Sequence, residues 1–413
     1  VSAPITVVGT GTGAPFPADV LDGARLVVGG RRHLEAAPLP HDSEQVVLGP
    51  LAPALDVIER HLEKEGRVVV LASGDPGFFG IVRVLAERFG ADRLDVRPGV
   101  SSVAAAFARA GLPWDDAVVV SAHGRDPRTA VNACRAHPKV AVLTGPGSGP
   151  AELGAALGSD ARVLVVASAL GAAGERVERV TPAEAAGRDW GADVSVVLCL
   201  DEARVLGGVR TVAGADAGPA RWALDEDEFA HRDSMITKFE VRALALARLG
   251  PRLGELVWDV GAGSGSVAVE CARFGAAVTA VEKSEDGVGR IRANAAAHGV
   301  DVRVVHGSAP AALDGLDDPD AVFVGGGGRE LPAIVTACAR RARRTVVVAM
   351  AALDRVPAAR EALTGAGFDC DGVLLQSSRL APLPGDVTRL AATNPVFLLW
   401  GVRTPVCREG VAQ

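Results

Sequence analysis

The sequence predicts an α/β protein made of two domains in tandem, and three observations lead there. At 413 residues the chain is about twice what one hydrophobic core usually organises. Its apolar residues, 48% of the total, are mainly Ala, Val and Leu, which suits buried parallel strands covered by helices. Short apolar runs alternate with stretches of helical period along both halves, and each half opens on a strand that runs into a glycine loop.

In the first half, strand 5–8 leads into Gly9-Thr-Gly11-Thr-Gly13. Further buried-type strands are expected at 26–28, 68–71, 94–96, 118–120, 140–143, 163–166 and 194–200. Helical patterns such as Leu55, Ile58 and Leu62 separate them, so mostly parallel sheets are expected. The pattern pauses at Gly111-Leu-Pro-Trp114, which divides this half into two subdomains.

Residues 205–232 have no strand period and carry Gly207, Gly208, Gly214 and Gly218-Pro219 before the acidic run Asp225-Glu-Asp-Glu228. They read as a linker between domains 1–204 and 233–413, with the acidic run as a solvated segment. The second half then presents a helix bearing Val241, Leu244, Ala245 and Leu249, preceded by Thr237-x-x-Glu240, a capping-box pattern. Strand 256–260, a glycine loop, helix 266–274 and strands 278–281, 302–305, 321–324 and 345–349 follow. Two late strands, 373–377 and 396–400, have no helix between them and are expected as an antiparallel pair at the sheet edge.

Composition excludes several classes of function. A chain this apolar is not disordered, and 4% aromatics with no tyrosine is a poor stacking platform for single-stranded nucleic acid. Residues 1–224 carry 22 basic and 26 acidic side chains and residues 225–413 carry 21 and 24, so neither half is a basic footprint for nucleic acid. Cys134, Cys199, Cys271, Cys338, Cys370 and Cys407 are scattered without a Cys-x-x-Cys, which points to a reducing, cytoplasmic compartment. The eight histidines show no ligand spacing, so no metal is expected. The absence of a long apolar run or a leader pattern predicts no membrane association.

The sharpest chemical signal is Val257-Trp-Asp259-Val-Gly261-Ala-Gly263-Ser-Gly265-Ser, with Glu282 at the end of the next strand. Glycines permit the turn and a close ligand approach, and an acid about 20 residues on can take both hydroxyls of a ribose. A dinucleotide, S-adenosylmethionine and a merely structural turn all use this layout. The third glycine comes one place early for a dinucleotide, and Asp259 would oppose a pyrophosphate while suiting a cation. After strand 321–324 stand four glycines, Gly325 to Gly328, where exocyclic-amine methylases place Asn/Asp-Pro-Pro-aromatic. They read either as backbone laid against a large flat substrate, with Gly325, Gly326 and Gly327 touching it, or as a flexible connection. Arg340-Arg-Ala-Arg-Arg344 invites an RNA reading but ends a helix, where cations are favoured.

The first half carries weaker signals at strand ends: Ser73-Gly-Asp75-Pro76-Gly77, Arg97-Pro-Gly99-Val-Ser101-Ser102 and Ser121-Ala-His123-Gly124. Either serine can be a helix cap and His123 a turn residue. Together these loops lie where open α/β sheets bind ligands.

With these motifs in hand, the first half resembles the tetrapyrrole methylases: Val8-Gly-Thr-Gly11, Leu26-Val-Val-Gly-Gly-Arg-Arg-His-Leu34, Gly74-Asp75-Pro76, Pro98-Gly-Val-Ser-Ser102 and Ser121-Ala-His-Gly-Arg125. The second half, with His231-Arg-Asp233, Met235-Ile-Thr-Lys238 and the glycine loop, resembles a Rossmann-like S-adenosylmethionine-dependent methyltransferase. Fused in this order, they resemble the precorrin-6Y C(5,15)-methyltransferase (decarboxylating) family of vitamin B12 biosynthesis.

The resemblance implies S-adenosylmethionine in each domain. It implies methylation of precorrin-6Y at carbon 5 by the first domain, and at carbon 15, with loss of the ring C acetate carboxyl, by the second, giving precorrin-8X. It places Gly74, Asp75, Ser101 and Ser102 in the first donor site and Gly9 and Gly11 at the substrate. Thr237, Asp259, Gly261, Ala262, Gly263, Ser264, Gly265, Glu282, Ser308 and Ala309 fall in the second donor site. Ser308 departs from the Asp usual there, and an adenine contact at that position loses a charge. The catalytic candidates are His123, His231 and Asp233. The tetrapyrrole is then the partner, with neither nucleic acid nor membrane, and a homo-oligomer is expected. Alternatives are a single-site methyltransferase whose first half only binds the tetrapyrrole, and an RNA methyltransferase.

Overall fold

The computed structural model describes residues 5–13, 16–64, 66–145, 147–158, 160–191, 194–208, 213–214, 218–219, 221–232 and 236–403. The chain divides into two compact units, residues 1–127 with 138–215, and residues 128–137 with 216–413.

In the first unit, one sheet comprises β1 (Ile5–Thr10), β2 (Leu26–Gly29), β3 (Glu44–Val47), β4 (Val68–Ser73) and β5 (Leu94–Arg97). Their order is β3-β2-β4-β1-β5, with every pair parallel. Ile5, Val7, Leu26, Val28, Val68 and Val70 pack on one face with Ile58 and Leu85 from two helices. Val8, Val27, Val69 and Leu71 pack on the other with Val20 and Leu34. Burial on both faces is why these strands are unbroken apolar runs in the sequence. The edge strand β3 lacks that signature because Glu44 and Gln45 face solvent.

The second sheet of this unit comprises β6 (Val118–Ser121), β7 (Lys139–Leu143), β8 (Val163–Ser168), β9 (Arg176–Val180) and β10 (Val194–Leu200), in the order β6-β7-β10-β8-β9. Only β6 and β7 run parallel; the other three pairings are antiparallel, which corrects the expectation of mostly parallel sheets here. The physical reason is the connection: β8 and β9 are joined by a short turn around Ala169 and Gly171, with no crossover helix. Arg176, Glu178 and Arg179 make β9 a charged edge strand, invisible to an apolar-run search.

The second unit holds a seven-stranded sheet. Its first five strands are β11 (Leu256–Val260), β12 (Ala277–Glu282), β13 (Arg303–His306), β14 (Ala321–Val324) and β15 (Thr345–Met350). They pair in parallel in the order β13-β12-β11-β14-β15. The chain then forms β16 (Phe368–Leu375), a separate hairpin of β17 (Ser378–Leu383) and β18 (Val387–Ala392), and β19 (Val396–Arg403). β19 lies antiparallel between β15 and β16, so the expected antiparallel pair is present. The hairpin occupies the stretch between them, and its Leu380 and Leu390 are largely exposed.

Two local expectations fail, each for an electrostatic reason. Thr237 and Glu240 form no capping box: the N-cap of the helix Phe239–Leu249 is Lys238, whose side chain does not cap the helix. Glu240 instead accepts from Arg379 at 2.7 and 2.9 Å. The acidic run is not wholly solvated, because Glu226 also accepts from Arg379 and from the Phe239 N–H. Burial alone would raise the Glu226 carboxyl; the Arg379 fork and backbone N–H groups outweigh it and hold it at about 2. Within the expected linker, Leu224 and Phe229 are buried with Val269 and Ala295 of the second unit. The fully buried Arg242 donates to the Leu224 and Thr237 carbonyls and pairs with the equally buried Glu270. Arg341 and Arg344, the inward members of the arginine run, are bound by Asp318, Glu255 and backbone carbonyls. Among the described residues no helix is long and apolar enough to cross a membrane, and no group of His, Cys, Asp or Glu is placed to hold a metal ion.

Candidate functional site

In the second unit the chain leaves β11 toward β12 on one side and later adds β14 on the other, so the sheet reverses its strand order between β11 and β14. Open α/β sheets bind ligands at such a point. The glycine loop sits there. Gly261, Gly263 and Gly265 have φ of 73°, 58° and 74°, the left-handed region that glycine enters without strain. Gly265 caps the helix Ser266–Arg273. A Cβ on Gly265 would lie 3.0 Å from Ile291, and one on Gly261 would lie 3.2 Å from the Gly326 backbone. A Cβ on Gly263 would meet nothing within 4 Å among the described residues, so this glycine borders open space there.

Two acids frame the loop. Glu282, at the end of β12, accepts from the Gly263 N–H at 2.9 Å and the Ser284 N–H at 2.8 Å. Asp259 is 1% exposed; its Oδ2 accepts from the Ala268 N–H at 2.9 Å, while its buried Oδ1 has no partner among the described residues. Burial, with a smaller contribution from the Glu282 charge, pushes the Asp259 carboxyl up to about 7. A buried, half-satisfied carboxylate beside an open glycine turn is set up to meet a cation or a donor.

Gly325 and Gly326 do not stand apart as a platform. A Cβ on Gly325 would lie 2.9 Å from Phe323, and Gly326 lies against Gly261, so this second loop packs on the first, backbone to backbone. Gly327 is confined by Leu331 and Ile334. Ala262 is partly buried against the core, and the buried Ser264 gives its carbonyl to Asn294 at 2.8 Å. After β13, Gly307 donates to the Glu282 carbonyl at 2.9 Å; Ser308 is exposed and Ala309 packs on the core. Thr237 presents its carbonyl to Arg242 at 2.5 Å. His231 has a buried Nδ1 with no partner among the described residues, and Asp233 lies outside those residues.

In the first unit the ends of β1, β4 and β5 cross. Gly74 donates to the Thr10 carbonyl at 2.8 Å and Gly99 to the Gly74 carbonyl at 3.1 Å. A Cβ on Gly9 would lie 1.9 Å from the Gly74 oxygen and 2.3 Å from the Gly99 nitrogen. Gly9 and Gly74 are thus buried by the crossing and do not line the cavity beside it. Ser101 caps the helix Ser102–Ala110, accepting from the Ala104 N–H at 3.1 Å, which is the structural role foreseen for one of the two serines. The cavity measures about 1220 Å³ and is lined by Gly11, Asp75, Ser102 and His123 from the expected set. Asp75 is held by the Gly77 N–H at 2.8 Å.

Sequence reasoning missed a hydrogen-bonded cluster in that cavity. His33 bonds Thr10 Oγ1 through Nδ1 at 2.9 Å and Ser73 Oγ through Nε2 at 2.8 Å. Arg32 donates to Ser73 Oγ at 2.7 Å. Burial, and secondarily the Arg32 charge, lowers the His33 imidazole to about 4. The signal was present as Arg31-Arg32-His33 after the Gly29-Gly30 strand end, quoted above only as part of a resemblance. Arg31, Arg125 and Arg188 also line the cavity.

Residues 4–186 match the family of tetrapyrrole (corrin/porphyrin) methylases, and residues 227–400 match the precorrin methyltransferase domain. A cobalt-precorrin-7 C(5)-methyltransferase of Salmonella typhimurium is 33% identical over 207 residues, 48% of this chain and 99% of its own length. A probable cobalt-precorrin-6B C(15)-methyltransferase (decarboxylating) of Pyrobaculum calidifontis is 40% identical over 170 residues, 40% of this chain and 87% of its own. The precorrin-6Y C(5,15)-methyltransferase (decarboxylating) of Sinorhizobium sp is 42% identical over 316 residues, 74% of this chain and 73% of its own. On that relationship, the chain belongs to the precorrin-6Y C(5,15)-methyltransferase (decarboxylating) family and is a methyltransferase of cobalamin biosynthesis.

Proposed function

We infer that the chain methylates its tetrapyrrole substrate, a precorrin of the 6Y type, at carbons 5 and 15 and decarboxylates it, using one donor site in each of two domains. Methyltransferases of this family use S-adenosylmethionine. The observation that carries the two-site reading is that each unit ends a parallel sheet in its own glycine loop, beside its own pocket or open turn. Relatives named for carbon 5 alone and for carbon 15 alone support it. We assign carbon 5 to a first domain over 1–204, and carbon 15 with the decarboxylation to a second over 233–413. The buried contacts of Leu224 and Phe229 favour counting 221–232 with the second.

The residues of the second unit fit the donor. The unpartnered Asp259 Oδ1 offers negative charge to a cation, and the open face of Gly263 gives room for a ligand against the backbone. Each Glu282 oxygen has accepted one backbone N–H and retains a lone pair for a hydroxyl of a ribose. When bound, the donor supplies an electrophilic methyl group. The protein's share is to orient the reactants and exclude water, and such positioning alone can contribute about 7–11 kcal/mol to a bimolecular step. In the first unit Asp75 and Ser102 would face the donor and Gly11 the substrate, and about 1220 Å³ leaves space for a tetrapyrrole beside them. Arg31, Arg32, Arg125 and Arg188 suit the substrate's carboxylates.

Anaerobic turnover of the reduced precorrin with labelled donor, read by mass spectrometry, tests the reading: two methyl gains and the loss of carbon dioxide are expected. Calorimetric titration with the donor should give two equivalents per chain. One equivalent would instead favour a first half that only binds the tetrapyrrole. We also propose a homo-oligomer in the cytoplasm. The exposed Leu380, Val387 and Leu390 of the β17–β18 hairpin and the free thiols of Cys199, Cys271, Cys338 and Cys370 support this. Light scattering at micromolar concentration checks the oligomer.

A further inference from the structure

We propose that Ser73 Oγ, held between Arg32 and His33, takes up the proton released when carbon 5 is methylated; this rests on assigning that methylation to the first domain. The protonation pattern of the cluster follows from its donors. Arg32 Nε donates to His33 Nε2 at 3.4 Å, and a guanidinium has no acceptor, so Nε2 is the bare nitrogen and the ring hydrogen sits on Nδ1. Nδ1 then donates to Thr10 Oγ1 at 2.9 Å, and the Thr10 hydroxyl donates onward to the Ala72 carbonyl at 3.5 Å. The single Nε2 lone pair is shared: the Ser73 hydroxyl is its nearer donor at 2.8 Å and Arg32 Nε the farther one at 3.4 Å, while Ser73 Oγ accepts from Arg32 Nη2 at 2.7 Å. One Oγ lone pair remains, on a residue that is exposed and lines the cavity. The imidazole, buried and far below its ordinary range, is neutral at pH 7 and able to accept.

The chemistry calls for such a group. As the new carbon–carbon bond forms and the donor's sulfur–carbon bond breaks, carbon 5 holds both the methyl group and its original hydrogen, and the conjugated ring carries the positive charge. Conjugation returns only when that hydrogen leaves as a proton and its electron pair re-enters the ring. Ser73 Oγ accepts it while passing its own proton to His33 Nε2, and the bond from Arg32 holds the oxygen in position during the exchange. Ser73 is left neutral, and the imidazolium, which binds its proton weakly in this site, releases it to water. A weak base is enough because the carbon acid is cationic.

The test uses the full chain and substrate deuterated at carbon 5, with methyl groups at carbons 5 and 15 followed separately by mass spectrometry. Ser73→Ala should slow carbon-5 methylation about 100-fold and raise its deuterium isotope effect above the wild-type value, and Ser73→Thr should restore the rate. An unchanged carbon-5 rate in Ser73→Ala overturns the proposal. So does a loss that shows no isotope effect and no rescue by threonine, which is the mark of a structural role. A loss at carbon 15 in place of carbon 5 overturns the domain assignment instead. Independently of turnover, nitrogen NMR should find His33 neutral at pH 7 with its hydrogen on Nδ1; the opposite tautomer breaks the relay.

Discussion

At the end of β1 three loops cross so closely that a single Cβ on Gly9 would lie 1.9 Å from the Gly74 carbonyl, whereas at the end of β11 a Cβ on Gly263 would meet nothing within 4 Å. The buried titratable groups differ in the same places. The first unit keeps a base, His33, neutral among hydrogen bonds that use both ring nitrogens. The second keeps an acid, Asp259, with one oxygen satisfied and the other bare. The comparison separates two ways of using a parallel-sheet end. In one, glycine lets backbone meet backbone and the chemistry is carried by side chains on the cavity wall. In the other, glycine leaves a space for a ligand, and a carboxylate waits behind it.

Glycine substitutions should break this contrast most sharply. Gly9→Ala forces the crossing apart and is expected to cost about 3 kcal/mol or more, because the atoms in the way are backbone. Gly263→Ala has free space and pays only for its φ of 58°, about 1–2 kcal/mol. Urea unfolding of the two variants measures the difference. A Gly9→Ala protein as stable as Gly263→Ala would show that the crossing is not the constraint described.

The next effect is on ligand affinity. Glu282→Gln keeps the side-chain length but removes the charge that the Gly263 and Ser284 N–H groups hold in place, and its amide can present only one acceptor oxygen. Binding of S-adenosylmethionine to the second site should weaken about tenfold, or about 1.4 kcal/mol, with the first site untouched. Two-site calorimetric titration reads this directly. Equal weakening at both sites, or at neither, would contradict the assignment of Glu282 to one donor site.

What was legible in the sequence divides along the same line. Strands buried on both faces, such as β4 and β11, were readable because their apolar runs have no other use. The Gly261–Gly265 turn with Glu282 was readable because spacing fixes it to one strand–turn–helix unit. Strands β3, β9, β17 and β18 were missed because edges carry polar or solvent-facing residues. Glu240 was misread as a cap because its partner Arg379 is 139 residues away, and a local motif cannot weigh a distant guanidinium. His33 escaped for the same reason: Ser73 and Thr10 reach it only after β1, β2 and β4 have assembled. Long-range polar clusters leave no period in the chain.

The effect that reports on both regions at once is the response of stability to pH. His33 titrates near 6.5 in an unfolded chain and near 4 when folded, so between those values the unfolded chain binds the extra proton. Its contribution is complete above 6.5 and is lost as the pH falls toward 4. Asp259 runs the other way. Its folded carboxyl titrates near 7 against 3.8 unfolded, so the folded chain holds the extra proton and stability falls as the pH rises from 3.8 through 7. Urea midpoints measured from pH 4 to 8 should therefore change slope differently in two variants. His33→Asn should remove a loss of stability on acidification, and Asp259→Asn should remove a loss on raising the pH. The two variants share no partner, so their effects should add in the double mutant. Parallel slopes in wild type and both variants would mean that neither buried group carries the proton assigned to it here. Donor binding sharpens the second half of the test. A cation brought near Asp259 favours its ionised form, so binding at pH 6 should release a proton in the wild type and none from this position in Asp259→Asn, as read by calorimetry in buffers of different ionisation enthalpy.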